Sequence, residues 1–175
     1  MNVVLIGYRG TGKSRVAEEL AKRLDLEVVS TDLRVTHRAG KEIPEIVADH
    51  GWEAFRDLES EVLAALEERG GLVIDTGGGI ILREANVEGL RRLGPVVLLT
   101  APVAVIRERI AGSQERPSLT RGKSFLDEIE EVLAQREPLY RGCADHIVAT
   151  AGKNPAEIAD EISTIISRHP VGGKK

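Results

Sequence analysis

The chain has 175 residues, of which 42% are hydrophobic and 30% charged, enough for one α/β domain to bury a core without disulfides and too little for two independent cores. Its net charge of −4 excludes a broad basic face for nucleic acid or an anionic membrane, so any phosphate must be met by a local site. The lone cysteine, Cys143, excludes an internal disulfide and a cysteine-based zinc site and suits the reducing cytoplasm.

The chain opens on the apolar run Val3 to Ile6, a short buried strand that is far too brief for a secretory signal or a membrane span. A helix follows with Val16, Leu20 and Leu24 along one stripe, then a strand over Glu27–Ser30. A second helix is expected from about Leu58 to Glu68, stopped by Gly70-Gly71, and further strands over Leu72–Ile74 and Pro95–Leu99. The segment 112–124 lacks periodicity, holds glycine, proline and basic residues, and reads as a mobile lid. A last strand at Ile147-Val148 leads to a helix with Asn154 as N-cap, Pro155 at its first position and Ile158, Ile162, Ile165 and Ile166 on one face. Residues 169–175 read as a frayed tail, leaving one domain over 1–168. Strands alternating with helices predict a parallel sheet covered on both faces.

Directly after the first strand stands Gly7-Tyr8-Arg9-Gly10-Thr11-Gly12-Lys13-Ser14, the P-loop pattern in its required strand-to-helix setting. Its glycines let backbone N–H groups turn inward as an anion nest, Lys13 reaches β/γ-phosphates, and the Ser14 hydroxyl can ligate Mg²⁺. Asp75 ends an apolar strand where P-loop proteins hold the Mg²⁺ shell, although a polar residue is also ordinary where a strand meets a loop. Gly77-Gly78-Gly79 either lets a ligand lie against bare backbone or is a flexible turn. Asp32 faces the crevice at the sheet edge or caps a helix. Arg56 and Glu59, spaced i and i+3, could form only a surface pair, and Arg136 only a solvated helix charge. Trp52, Phe55 and Tyr140 hint at an apolar wall beside an anion clamp, or are simply core. The histidines at 37, 50, 146 and 169 show no metal-ligand spacing. No Asn-Lys-x-Asp guanine-reading motif occurs, which disfavours a GTPase switch. A gluconate-type kinase and a nucleotide-binding module that has lost catalysis remain alternatives.

Taken in order, the P-loop, Ser30-Thr31-Asp32, Arg38-Ala39-Gly40, Phe55-Arg56-Asp57-Leu58-Glu59, Gly77-Gly78-Gly79, Arg116-Pro117 and Pro138-Leu139-Tyr140-Arg141 resemble shikimate kinase from Val3 to about Arg168. The resemblance implies a P-loop NTPase-type three-layer α/β sandwich with a five-stranded parallel sheet in order 2-3-1-4-5 and a lid. It implies a monomeric enzyme that phosphorylates the 3-hydroxyl of shikimate with ATP, giving shikimate 3-phosphate and ADP in aromatic amino acid biosynthesis. ATP and Mg²⁺ would be held by Gly10, Thr11, Gly12, Lys13, Ser14 and Arg15, with Arg109 and Pro155 flanking adenine and Arg116 arriving from the lid. Shikimate would contact Asp32, Arg56, Gly77, Gly78, Gly79 and Arg136, with Glu59 orienting Arg56. Lys13, Asp32 and Arg116 would carry catalysis. One departure stands out: the family's usual Asp-x-Asp after the second strand here begins with Ser30, and Asp75 stands where the family usually has no charge. The expectation is that a magnesium-shell carboxylate has moved from the second strand to the third, leaving Ser14 and Asp75 as metal-binding residues.

Overall fold

The computed structural model describes residues 1–111 and 125–168; the lid expected over 112–124, with Arg116, and the tail expected over 169–175 lie outside them. The strands are β1 (Val3–Ile6), β2 (Glu27–Ser30), β3 (Leu72–Asp75), β4 (Val96–Thr100) and β5 (His146–Ala149). All pair in parallel, in the order β2-β3-β1-β4-β5, so the expected topology is the one observed. The helices are α1 (Lys13–Leu24), α2 (Thr31–Ala39), α3 (Ile43–Leu66), α4 (Glu84–Leu93), α5 (Val103–Ile110), α6 (Phe125–Cys143) and α7 (Pro155–Arg168).

The pleat of β1 explains the layers. Val4 and Ile6 point to one face, against Phe55, Val62 and Leu66 of α3, Leu90 of α4 and Tyr140 of α6. Val3 and Leu5 point to the other, against Val16 and Leu20 of α1 and Ile158 and Ile162 of α7. A strand buried on both faces must be apolar at every position, which is why Val3–Ile6 reads as a run and not an alternation. The N-cap expected for α7 is present and reciprocal: the Glu157 N–H donates to Asn154 Oδ1 at 3.0 Å and the Asn154 N–H to Glu157 Oε2 at 2.8 Å.

The second expected helix differs in extent. It begins at Ile43 instead of Leu58 and ends at Leu66 instead of Glu68. Its early start comes from Pro44 in the first turn and from the Glu45 carboxylate, which accepts the Glu42 N–H at 3.0 Å. A break at Gly51, with φ 81° and ψ 172°, re-aims the segment and interrupts the apolar stripe that periodicity relies on. Parallel strands bring every strand end to one edge, where β1 feeds the P-loop, β2 feeds Asp32 and β3 feeds the glycine triplet. Among the described residues, no helix is long and apolar enough to cross a membrane.

Candidate active site

On the phosphate side of that edge, Gly10 and Gly12 take φ values of 80° and 91°, a conformation costly to residues with a Cβ and the one that turns the loop's N–H groups inward. The Lys13 ammonium lies in this loop, donating to the carbonyls of Gly7 at 2.8 Å and Tyr8 at 3.0 Å, with only 8% of the residue exposed. Ser14, at the start of α1, donates its hydroxyl to Asp75 Oδ2 at 2.6 Å. A cavity of about 930 Å³ opens over these groups, within the range of small-molecule sites. Gly10, Thr11, Gly12, Lys13, Ser14 and Arg15 all line it, as do Arg109 and Pro155. Arg109 is tethered there, donating to the Gly10 carbonyl and to Thr150 Oγ1, each at 3.1 Å.

A tighter cavity lies beside the first, and Asp32, Arg56, Glu59, Gly77, Gly78, Gly79 and Arg136 all line it. The surface-pair alternative for Arg56 and Glu59 does not hold. Their side chains are 9% and 0% exposed and meet at 2.5 Å, so this is a buried pair whose loss leaves an uncompensated charge. Two glycines of the triplet, Gly77 and Gly79, are dictated by these neighbours. A Cβ at Gly77 would come within 2.6 Å of Asp32 Oδ1 and 2.9 Å of Glu59 Oε1, and one at Gly79 would run into the Arg56 guanidinium. The turn is pinned as well: the Gly77 N–H donates to Thr31 Oγ1 at 3.0 Å, and Tyr140 donates its hydroxyl to the Gly78 carbonyl at 2.5 Å. Trp52 and Phe55 form the expected wall, edge to face at 5.9 Å, with the Arg56 guanidinium 5.4 and 5.1 Å from their ring centres.

Burial governs protonation around this cavity. Glu59 is lifted above the ordinary carboxylate value because desolvation outweighs the opposing charge and hydrogen bond of Arg56. The Tyr140 hydroxyl is pushed up to about 12 by burial, against the charge and hydrogen bond of Arg136. It is therefore a hydrogen-bond donor throughout the physiological range.

Arg9, Asp32 and Gly78 line both cavities. Sequence reasoning passed over Arg9, which fills a variable position of the P-loop, and Glu128 of α6, which is wholly buried and pairs with it at 3.5 Å. Nothing in local spacing joins positions 119 apart.

The family model described as shikimate kinase matches residues 9–167. The chain belongs to the shikimate kinase family. A shikimate kinase of Nitratidesulfovibrio vulgaris is 44% identical to it over 169 residues, covering 94% of this chain and 95% of that one. The shikimate kinase of Acinetobacter baumannii, solved in complex with shikimate, superposes with a TM-score of 0.91 at 32% identity, covering 97% of this chain and 94% of the other. That of Aquifex aeolicus superposes with a TM-score of 0.81 at 34% identity, covering 99% and 100%. As a shikimate kinase, the enzyme is an ATP-dependent phosphotransferase of aromatic biosynthesis.

Proposed function

We propose that this shikimate kinase, acting as a single domain over 1–168, transfers the γ-phosphoryl group of ATP from the large cavity to the 3-hydroxyl of shikimate in the tight one. The observation that carries this reading is the junction itself: a P-loop cavity adjoins a pocket lined by Arg9, Arg56 and Arg136, and Asp32 borders both. Arg56 and Arg136 take the substrate carboxylate, a task suited to the planar guanidinium fork. Glu59 fixes the Arg56 fork from behind. Gly77, Gly78 and Gly79 present bare backbone to the ring. Asp32 orients the acceptor hydroxyl and accepts its proton as the oxygen bonds to phosphorus and the bond from phosphorus to the departing ADP oxygen breaks. A loose transition state asks for positioning and charge compensation more than covalent chemistry. Lys13 supplies positive charge at the β/γ-phosphates, and Arg109 and Pro155 bracket the adenine. Arg116, outside the described residues, takes its charge-compensating role from the family pattern.

Ser14 and Asp75 fit a magnesium ion. They are hard oxygen donors, 2.6 Å apart, on the rim of the phosphate cavity. Among the described residues no group of three or more His, Cys, Asp or Glu side chains comes together to hold a metal, which matches an ion that keeps waters and shares substrate phosphates. When bound, Mg²⁺ neutralises phosphate charge. Ser30 and Asp75 are paired neighbours on β2 and β3, so a carboxylate at either position serves the same corner of the site. The setting is a cytoplasmic monomer without a nucleic-acid or membrane partner. Its net charge of −4 and the placement of both cavities within one chain support that.

The test is an ADP-release assay with ATP and Mg²⁺ against shikimate, quinate, gluconate and nucleoside monophosphates. Rapid release with shikimate alone is expected. Equal or faster turnover of gluconate or a nucleoside monophosphate overturns the assignment.

A further inference from the structure

We infer that Arg9, paired with the buried carboxylate of Glu128, is a cation placed at the point where the two cavities meet, and that it stabilises the phosphoryl group as it crosses. This deepens the reading of the cavities as nucleotide and acceptor sites and rests on it.

The P-loop pattern does not call for an arginine at this position, since only its glycines, lysine and hydroxyl are fixed by phosphate binding. The geometry gives Arg9 a task of its own. Of the described cavity-lining residues, Arg9, Asp32 and Gly78 are shared by both: a cation, a proton acceptor and a position of bare backbone. Gly78 lies against the backbone of Arg9, so a Cβ there would stand 3.5 Å from the Arg9 nitrogen. The Arg9 guanidinium lies 5.9 Å from the Tyr8 ring centre, and its Nη2 is 3.5 Å from Glu128 Oε1. Glu128 is 0% exposed while the Arg9 side chain retains 15%. The carboxylate is thus committed to the interior, while the Arg9 side chain keeps part of its surface exposed and the residue borders both cavities.

That asymmetry is what a positioned electrostatic group requires. A donor aimed in advance at developing charge need not reorganise as the reaction proceeds. Charge in phosphoryl transfer spreads over the equatorial oxygens of the moving group, and a planar guanidinium can meet two of them at once. Arg9 is accordingly a catalytic residue and Glu128 a positioning residue that acts through it. The pair also ties α6 to the P-loop, and a purely structural tie is the competing explanation.

The two explanations part in a set of variants: Arg9→Met, Arg9→Lys, Glu128→Gln and the double variant Arg9→Met/Glu128→Gln. Measured for each are kcat, KM for ATP and for the acceptor, ADP affinity by calorimetry, and Tm. Arg9→Met should lower kcat by about 10²-fold, the scale of one preorganised donor, with ADP affinity and both KM values nearly unchanged. Arg9→Lys should recover part of the loss. Glu128→Gln should lower kcat less than Arg9→Met does, and the double variant should be no worse than Arg9→Met, because on this inference Glu128 acts through Arg9. An unchanged kcat in Arg9→Met overturns the inference, and so do losses that multiply in the double variant or that simply follow Tm. Should Glu128→Gln fail to fold, the contrast of Arg9→Met with Arg9→Lys still decides. The wild-type acceptor screen run alongside separates the two readings. Turnover of another acceptor with the same Arg9 dependence refutes shikimate and keeps the junction role, whereas full turnover of shikimate by Arg9→Met refutes the junction role alone.

Discussion

Glu59 pairs with Arg56 with no exposure at all, and burial holds its pKa above the ordinary value of 4.5. A raised folded-state pKa means that the native state holds the proton more tightly than the unfolded chain does. The contribution of this carboxyl to stability is therefore complete below the unfolded value and is lost as pH rises through the folded one. Glu59→Gln has no such proton. The stability difference between wild type and Glu59→Gln should fall as pH is raised from about 4 towards neutrality and then level off, read by urea unfolding at a series of pH values. A difference that grows with pH would mean that the Arg56 charge outweighs burial. The spacing of Arg56 and Glu59 was legible in the sequence, but an i, i+3 pair looks the same on a solvated face as inside a protein. What buries it is the packing of α3 against the glycine triplet, with Asp32 and Glu59 crowding Gly77 and Arg56 crowding Gly79. The bond from Tyr140 to the Gly78 carbonyl, spanning 62 positions, is of the same long-range kind.

At the level of elements, β2 and β3 end side by side at Ser30 and Asp75. Ser30 has a second task, since its hydroxyl accepts the Leu33 N–H at 3.3 Å and caps α2. Two substitutions should therefore separate metal binding from folding. Asp75→Asn should raise the magnesium concentration needed for half-maximal activity and for nucleotide binding. Ser30→Ala should leave that concentration nearly unchanged yet cost about 1 kcal/mol of stability through the lost cap. Ser30→Asp in the Asp75→Asn background should recover part of the metal dependence while keeping the helix capped. Equal magnesium dependence in wild type and Asp75→Asn would show that the carboxylate does not serve the ion. The strands and the caps of α7 were readable because their signals are local. Helices α2 and α4 were not, because each is short, so the apolar stripe has too few members to stand out. The start of α3 was lost at Gly51, where the stripe changes direction.

Across the whole molecule, the site gathers residues from the P-loop to Pro155 at a single sheet edge, so occupying it ties together segments far apart in the chain. Ligands that bind only the folded state stabilise it by mass action, about 2.7 kcal/mol at a hundredfold excess over Kd. For a chain of this length, that should raise Tm by about 5–10 °C with saturating shikimate, and ADP added with it should raise Tm further. Thermal melts with quinate and gluconate as controls check this. A shift from gluconate as large as that from shikimate would overturn the substrate assignment. The overall topology was legible because alternating strands and helices admit few parallel arrangements, and the family pattern selects among them.

The opposite edge of the sheet carries the turns that lead into the strands, and among them Gly70 is exposed with no atom within 4 Å of where a Cβ would lie. Cys143, by contrast, is buried and its thiol is pushed up to about 11 by that burial, which keeps it a poor nucleophile at neutral pH. A single cysteine placed at Gly70 would thus be the one that a maleimide surface captures. The enzyme would be immobilised by its back, with the nucleotide and acceptor cavities turned towards the flowing solution.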